Sequence, residues 1–528
     1  MRKVITLFLF FFIIKNSIGQ NLGIDNIQTK TLKNSIRLNH IFISQPDYTF
    51  NYSDGSQYTL KPKMGLMGLN YNIGLTDWLY TGAGFHAATF GDQGGLFTLG
   101  VNLGLNLPIY KNLFFDANAH FGGGGGFRTL VGGGAILYTN VGLQYKFNNI
   151  SFGVQYGNLD FFTGIQTGDN VSFFIEIPTN IRAGSYANAH KQFTVNDNFL
   201  NDFWKKPAVK SVQQLKFDFF FPIGNTRTDG NGNFNQAEQI NHILYIVGFE
   251  YQRYLTHNSF LYTHLDTMYS GLRSGFMDLF FGYGRNFIET EYVNFFAKFG
   301  LGAAGGRIYP ENGLTMYPSL GVDLRFSKNL GLSLHGGYHR SIGASFEALT
   351  TGVSLKYYSL SGGTKDPFTN EKGDKIITQG IQLSVQNQTY FNVAKTDSPA
   401  IDLNHIALNV KYDLNKRFYL FGEASFAYEG KSGGYAHGIF GIGTITNKLF
   451  KDKISLFLET AAGVAGGAGV DTGEGVIIRP TAGINYHFNN NFAFNISAGK
   501  LIAPLGNVNS SNLNIGINYG FSMLNLKK

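Results

Sequence analysis

His86 and His120 stand with Asp116 in neighbouring segments of alternating polarity, and His335 and His339 stand four residues apart in another. An imidazole beside a carboxylate is the raw material of a general base with its orienting acid. Two imidazoles begin a metal site. Catalysis, however, needs nucleophile, base and acid in contact, and no spacing here fixes that contact. A zinc-type site needs a third ligand that the His335–His339 pair does not bring. The glycine-rich tracts 122–126, 302–306 and 463–469 invite a phosphate-loop reading, yet none opens a helix or carries Lys-Ser/Thr. Hairpin flexibility and tight strand packing account for them. The expectation is therefore no catalytic, cofactor-binding or metal residues: paired histidines inside a fold, no cofactor, and no enzyme.

One register must position these groups, and it occurs three times. Thr139-Val141-Leu143-Tyr145-Phe147, Pro318-Leu320-Val322-Leu324-Phe326 and Pro480-Ala482-Ile484-Tyr486-Phe488 each alternate with small, polar or charged residues. Strict period-2 alternation means a strand with one apolar and one wet face. Each copy ends on Phe and runs through a short polar turn into another strand. A fixed self-similar spacing is a repeat architecture. Eight strands are expected per copy: from 35–44 to 169–182, from 212–222 to 346–358, and from 377–392 to 511–524. The modules are then 35–183, 212–358 and 377–528. Two polar segments, 184–211 and 359–376, link them, with a short helical turn expected over 198–204.

Composition says what solvates the strands. Aromatics reach 15% and Gly 68 of 528, while charged residues are only 14% and Pro only 12. A soluble β protein carries more charge on its exposed faces. A membrane barrel resolves the conflict, with an apolar band facing lipid and polar residues turned inward. Residues 1–19 read as a secretory signal: Arg2 and Lys3, an apolar run from Val4 to Ile14 too short to span a bilayer, and small Ser17 and Gly19 before Gln20. Removing it takes the formal +8 to about +5, which suits an anionic membrane surface and is no nucleic-acid footprint. With no Cys, disulfides and thiol chemistry are excluded.

The alternation assigns faces. At 95–107, Phe97, Leu99, Val101, Leu103, Leu105 and Leu107 point outward, and Thr98, Gly100, Asn102, Gly104 and Asn106 inward. The second module's inward charges are Lys216, Asp218, Glu250, Asp266, Asp278, Lys298, Asp323, Arg325 and Lys356. The third's are Lys411, Glu423, Glu459 and Arg479; the first's are Arg37, Asp116, His120, Lys146 and Glu176. Near charge balance suits pairing across a packed interior. Short turns alternate with longer loops, the periplasmic and extracellular pattern of outer-membrane barrels. Trp78, Tyr110, Phe147, Tyr254, Phe326 and Phe488, beside the short turns, are expected as the inner aromatic girdle.

At these residues the chain resembles small outer-membrane β-barrels of the OmpX/OmpA-like type, within the outer membrane protein beta-barrel family, in a Bacteroidota version. Its last strand, Asn514-x-Gly516-x-x-Tyr519-x-Phe521, is similar to the β-signal read by the barrel assembly machinery. Phe521 is followed by seven further residues, whereas the family usually ends on the aromatic. Similar spacings recur at Asn140–Phe147 and Thr350–Tyr357. The resemblance implies a Gram-negative outer membrane, with lipid, lipopolysaccharide and the assembly machinery as partners.

The fold class is thus all-β: an up-and-down transmembrane barrel of about 24 strands in three modules. Tandem eight-stranded barrels are favoured, with one large barrel as the alternative. An eight-stranded lumen is filled by side chains, a much wider one needs a plug, and no plug domain is evident. A structural, adhesive or scaffolding role at the cell surface follows. A wide transport pore is the alternative, and an outer-membrane hydrolase or acyltransferase the remote one.

Overall fold

The computed structural model describes residues 21–23, 29–51, 55–91, 93–126, 128–148, 150–194, 207–228, 237–272, 275–308, 312–361, 363 and 375–526. The signal segment and the helical turn expected at 198–204 lie outside these residues, as do 364–374 of the second linker.

Three rings of strands close on themselves. In the first, eight strands run from Asn34–Ser44 to Thr167–Pro178, and the last pairs antiparallel with the first, Phe174 opposite Asn39. In the second, Val209–Pro222 pairs with Glu347–Ser361, Leu215 opposite Leu355. In the third, Lys375–Val393 pairs with Asn509–Leu526, Val385 opposite Ile517. Within each barrel every other pairing joins neighbours along the wall, and among the described residues one strand contact links two barrels, Ser361 of the second opposite Asn525 of the third. The single large ring is therefore not formed; it would need the first strand to meet the last of the chain. Closure also removes every edge from the three barrels.

Barrel strands run from 10 to 19 residues, long enough for tilted crossings of a bilayer. No helix among the described residues is long and apolar enough to cross a membrane. The alternation holds in three dimensions. Val141, Leu143, Tyr145 and Phe147 are exposed, while Asn140 and Gln144 are buried. Burial is inverted relative to a soluble protein: charged side chains fill the interior and large apolar ones cover the outside. Hydrocarbon is the solvent such a surface requires.

Tyr254 departs from the expected girdle. It shares the inward phase of Glu250 and Gln252, is buried, and accepts a hydrogen bond on its hydroxyl from Asn286 Nδ2 at 3.2 Å. Trp78, Tyr110, Phe147, Phe326 and Phe488 do stand exposed beside the short turns.

The strand expected at 169–182 ends at Pro178. Beyond it, Ile181–Ser185 leaves the first barrel's wall, pairs with Thr29–Leu32, and lays Ala183 against Met523 of the third barrel. The short strand Gln192–Thr194 then pairs with Ile376 and its neighbours. Residues 184–194 of the first linker are thus bound to the third barrel, whereas 209–211, also expected as linker, already belong to the opening strand of the second.

The barrels also touch one another through outward faces. Phe85, Ala87, Phe97 and Leu99 of the first barrel bury against Leu279 and Ala303 of the second and Phe426 of the third. The rings of Phe85 and Phe426 meet edge to face at 6.1 Å. Glycine tracts permit the closest approaches. A Cβ on Gly125 would stand 1.6 Å from Gly434 Cα of the third barrel, and one on Gly305 would stand 2.1 Å from Gly95 N of the first. Gly434 N–H donates to Gly124 O across that contact at 3.0 Å. Between the second and third barrels, Ser270 Oγ donates to Glu474 Oε2 at 2.5 Å.

Candidate functional sites: the three barrel interiors

The first lumen is organised by one guanidinium. Arg37 Nη1 and Nη2 each lie 2.9 Å from one oxygen of Asp116, and Nε lies 2.7 Å from Glu176 Oε2. Gln155 Nε2 donates to Asp116 at 2.7 Å, and the guanidinium stacks over Phe174 at 4.0 Å. Arg37 comes from the first strand and Asp116 from the fifth, so the fork spans the barrel. Bidentate charge-assisted bonds are the strong kind, and they make the burial of these charges tolerable.

The third lumen repeats the device with other residues. Arg479 in the sixth strand forks onto Glu423 in the third, with Nη2 to Oε2 at 2.7 Å. Tyr390 and His437 complete the cluster, at 3.2 Å from Arg479 Nη1 and from Glu423 Oε1 respectively. Lys411 pairs with Glu459, which also accepts from Tyr419 at 2.8 Å. The second lumen uses lysines instead: Lys216 lies between Asp266 and Asp218, Lys298 on Glu250, and Lys356 on Asp323. All the inward charges named from the sequence in this barrel are buried except Arg325, which is half-buried over the Tyr358 ring.

Each interior is stoppered at its long-loop end by apolar side chains. Leu60, Leu96, Leu130 and Val131 come from loops to cover Ile41, Tyr138 and Phe161 in the first barrel. Ile240, Ile308 and Phe346 cover Phe220, Leu244 and Phe276 in the second. Val470, Ala503 and Val508 cover Tyr390 and Leu403 in the third.

The third barrel's short-turn mouth has a further cover. Tyr186, in the 3-10 turn Tyr186–Asn188, donates its hydroxyl to Asp413 Oδ2 at 2.7 Å and accepts from Gln382 Nε2 at 2.5 Å. His190 N–H donates to Thr378 O at 2.9 Å. Burial, and then the Asp413 carboxylate, pushes the Tyr186 phenol well above its ordinary range.

The four histidines named from the sequence are not gathered into one site. His86 and His120 stack edge to face with centroids 4.9 Å apart, and His120 Nδ1 meets Asn102 Oδ1 at 2.6 Å. Asp116 is engaged with Arg37, two inward positions from His120 on the same strand. His335 and His339 also part company: His335 Nε2 lies 2.9 Å from Asp218 Oδ1, whereas His339 Nε2 lies 3.4 Å from Asp278 Oδ2. Sequence reading missed His264, buried between Glu250, Asp266 and Asp278. Its inward phase with Asp266 was the available signal.

No protein-family profile and no curated protein matches the chain. Among solved structures, the chain is similar to OccAB3 of Acinetobacter baumannii, at 10% identity over 93% of this chain and 99% of that one, with a TM-score of 0.23. It is also similar to the outer membrane protein OpdK of Pseudomonas aeruginosa, at 9% identity, 93% and 99% coverage, and a TM-score of 0.22. The siderophore receptor PirA of Pseudomonas aeruginosa matches at 10% identity, 93% and 80% coverage, and a TM-score of 0.25. Scores this low do not establish a shared architecture; the barrel count rests on strand pairing.

Proposed function

We propose that this chain is an integral outer-membrane protein with a structural, adhesive or scaffolding role, presenting three fused barrels as one platform. The observation that carries this reading is the filling of all three lumens. Paired charges occupy each mid-section and an apolar stopper closes each long-loop end, so the natural place for activity is the outer surface. That surface includes a hairpin, Thr49–Asn51 against Gln57–Thr59, whose Phe50 and Tyr58 pack onto the first barrel's stopper. Outer-membrane lipid and lipopolysaccharide would meet the apolar belts. The barrel assembly machinery would read the closing strand that carries Tyr519 and Phe521, and the OmpX/OmpA-like resemblance belongs to this same reading.

Transport is the second reading, prompted by the receptor and Occ/Opd names among the similar structures. It would have to run through a lumen whose ion pairs and stopper part. Conductance in planar bilayers separates the two. The filled-barrel reading expects no stable step from the purified chain, and a reproducible open channel would transfer the case to transport.

A further inference from the structure

We propose that the second barrel holds one divalent transition-metal ion within its wall-to-wall interior, ligated by His264, Asp266 and Asp278. His264 and Asp266 project from the strand Ser259–Ser270, and Asp278 from its neighbour Phe276–Glu289, directly opposite Asp266 in register. One ligand atom from each of the three lies within 4.8 Å of the others. All three side chains are sealed from solvent, at 1% exposure or less.

Three observations point to an ion. First, both nitrogens of His264, both oxygens of Asp278 and Oδ1 of Asp266 are buried without a hydrogen-bond partner. Buried polar atoms are otherwise almost always satisfied, so this many in one place marks a missing partner.

Second, the separations suit shared coordination. His264 Nε2 lies 3.4 Å from Asp278 Oδ1 and 3.7 Å from Asp266 Oδ2. These are long for charge-assisted hydrogen bonds. Ligands about 2.1 Å from a tetrahedral zinc stand about 3.4 Å from one another.

Third, Asp278 lacks a permanently charged partner. Lys216 serves Asp266 and Asp218, Lys298 serves Glu250, and Lys356 serves Asp323. Among the described residues no Lys or Arg reaches Asp278; only His264 and His339 approach it. A buried carboxylate without a cation is too costly to persist.

His339 acts as a positioning residue. Its Nε2 faces the second oxygen of Asp278 at 3.4 Å, and its ring is boxed by Phe346, Phe280 and Phe220 at 4.8, 5.2 and 5.4 Å between centroids. The aromatic box keeps water away. Imidazole with carboxylates and no thiolate selects Zn²⁺, Mn²⁺ or Co²⁺ over soft metals. The ion would be trapped during folding and would lock adjacent strands together.

The test refolds the full chain into detergent micelles with Zn²⁺, passes it over a chelating resin and measures bound zinc by mass spectrometry. About one zinc per chain is expected. Asp278→Asn and His264→Gln should each lose it, and the exposed-site control His257→Gln should keep it. Heat-modifiability on gels reports folding of each variant. His339→Gln, which leaves the three ligands in place, should weaken zinc binding about 10–100-fold. Substitution with Co²⁺ should give a visible absorption band. A wild-type chain that refolds without zinc, or zinc retained by both ligand variants, overturns the proposal in favour of protonated imidazoles balancing Asp278.

Discussion

Replacing Arg37 by Met should cripple the first barrel while sparing the other two. The guanidinium makes two bonds of 2.9 Å to Asp116 and one of 2.7 Å to Glu176. Asp116 is fully buried and Glu176 partly so. Met fills the volume but leaves two carboxylates without their cation. Removing one partner of a buried pair costs about 3–5 kcal/mol, or about 10²- to 10³·⁵-fold in the unfolding equilibrium. Trp78, half exposed beside the short turn after the strand Lys63–Gly74, reports on this barrel. A Trp204→Phe background makes it the chain's single tryptophan. Urea titration in lipid vesicles, followed by Trp78 fluorescence, gives the loss. The double variant Arg37→Met with Asp116→Leu should recover most of it, because an apolar pair of similar volume replaces the ion pair. A single-variant loss below about 1 kcal/mol, or a double variant no better than the single, would refute the view that this ion pair organises the interior.

Other outcomes follow from other contacts. Gly125→Val drives a side chain into Gly434 of the third barrel, and overpacking should cost about 1–3 kcal/mol, read as a lower urea midpoint. Cysteines at 270 and 474, in a chain with no other cysteine, should be joined by a short bis-maleimide, since Ser270 and Glu474 touch; Gly125→Val tests whether that contact depends on the first barrel. Tyr186→Phe removes the bond to Asp413 and should cost about 0.5–1.5 kcal/mol, seen as faster hydrogen exchange at the His190 amide. The phenol's folded pKa is raised by burial and by Asp413, so its stabilisation is intact below the unfolded value near 10 and is lost as pH rises beyond it. The protection factor of the His190 amide, its slowing relative to the intrinsic base-catalysed rate, should therefore fall above about pH 10 in the wild type and stay level in Tyr186→Phe.

The strands were legible because both solvents write with the same period. All 24 barrel strands fall on the alternating segments, and inward charges such as Lys216, Glu250 and Arg479 were evident from phase alone. Phase also places Tyr254 on the inward face of Glu250, although its position beside a turn suggests the girdle. The seam was not legible. Phe85, Leu99, Leu279 and Phe426 face outward like any lipid-contacting residue, and lipid and protein demand the same apolar chemistry of them. The glycine tracts stood out, but nothing periodic said that Gly125 meets Gly434. His264 carries the inward phase of Asp266, but alternation says which residues point inward and not which of them meet.

Because every ring is built from an even number of sequential strands, the polypeptide enters and leaves each one on the same side. The joining segments never have to cross hydrocarbon. A unit could then be duplicated, lost or exchanged without inverting those downstream, so topology alone does not fix the number at three.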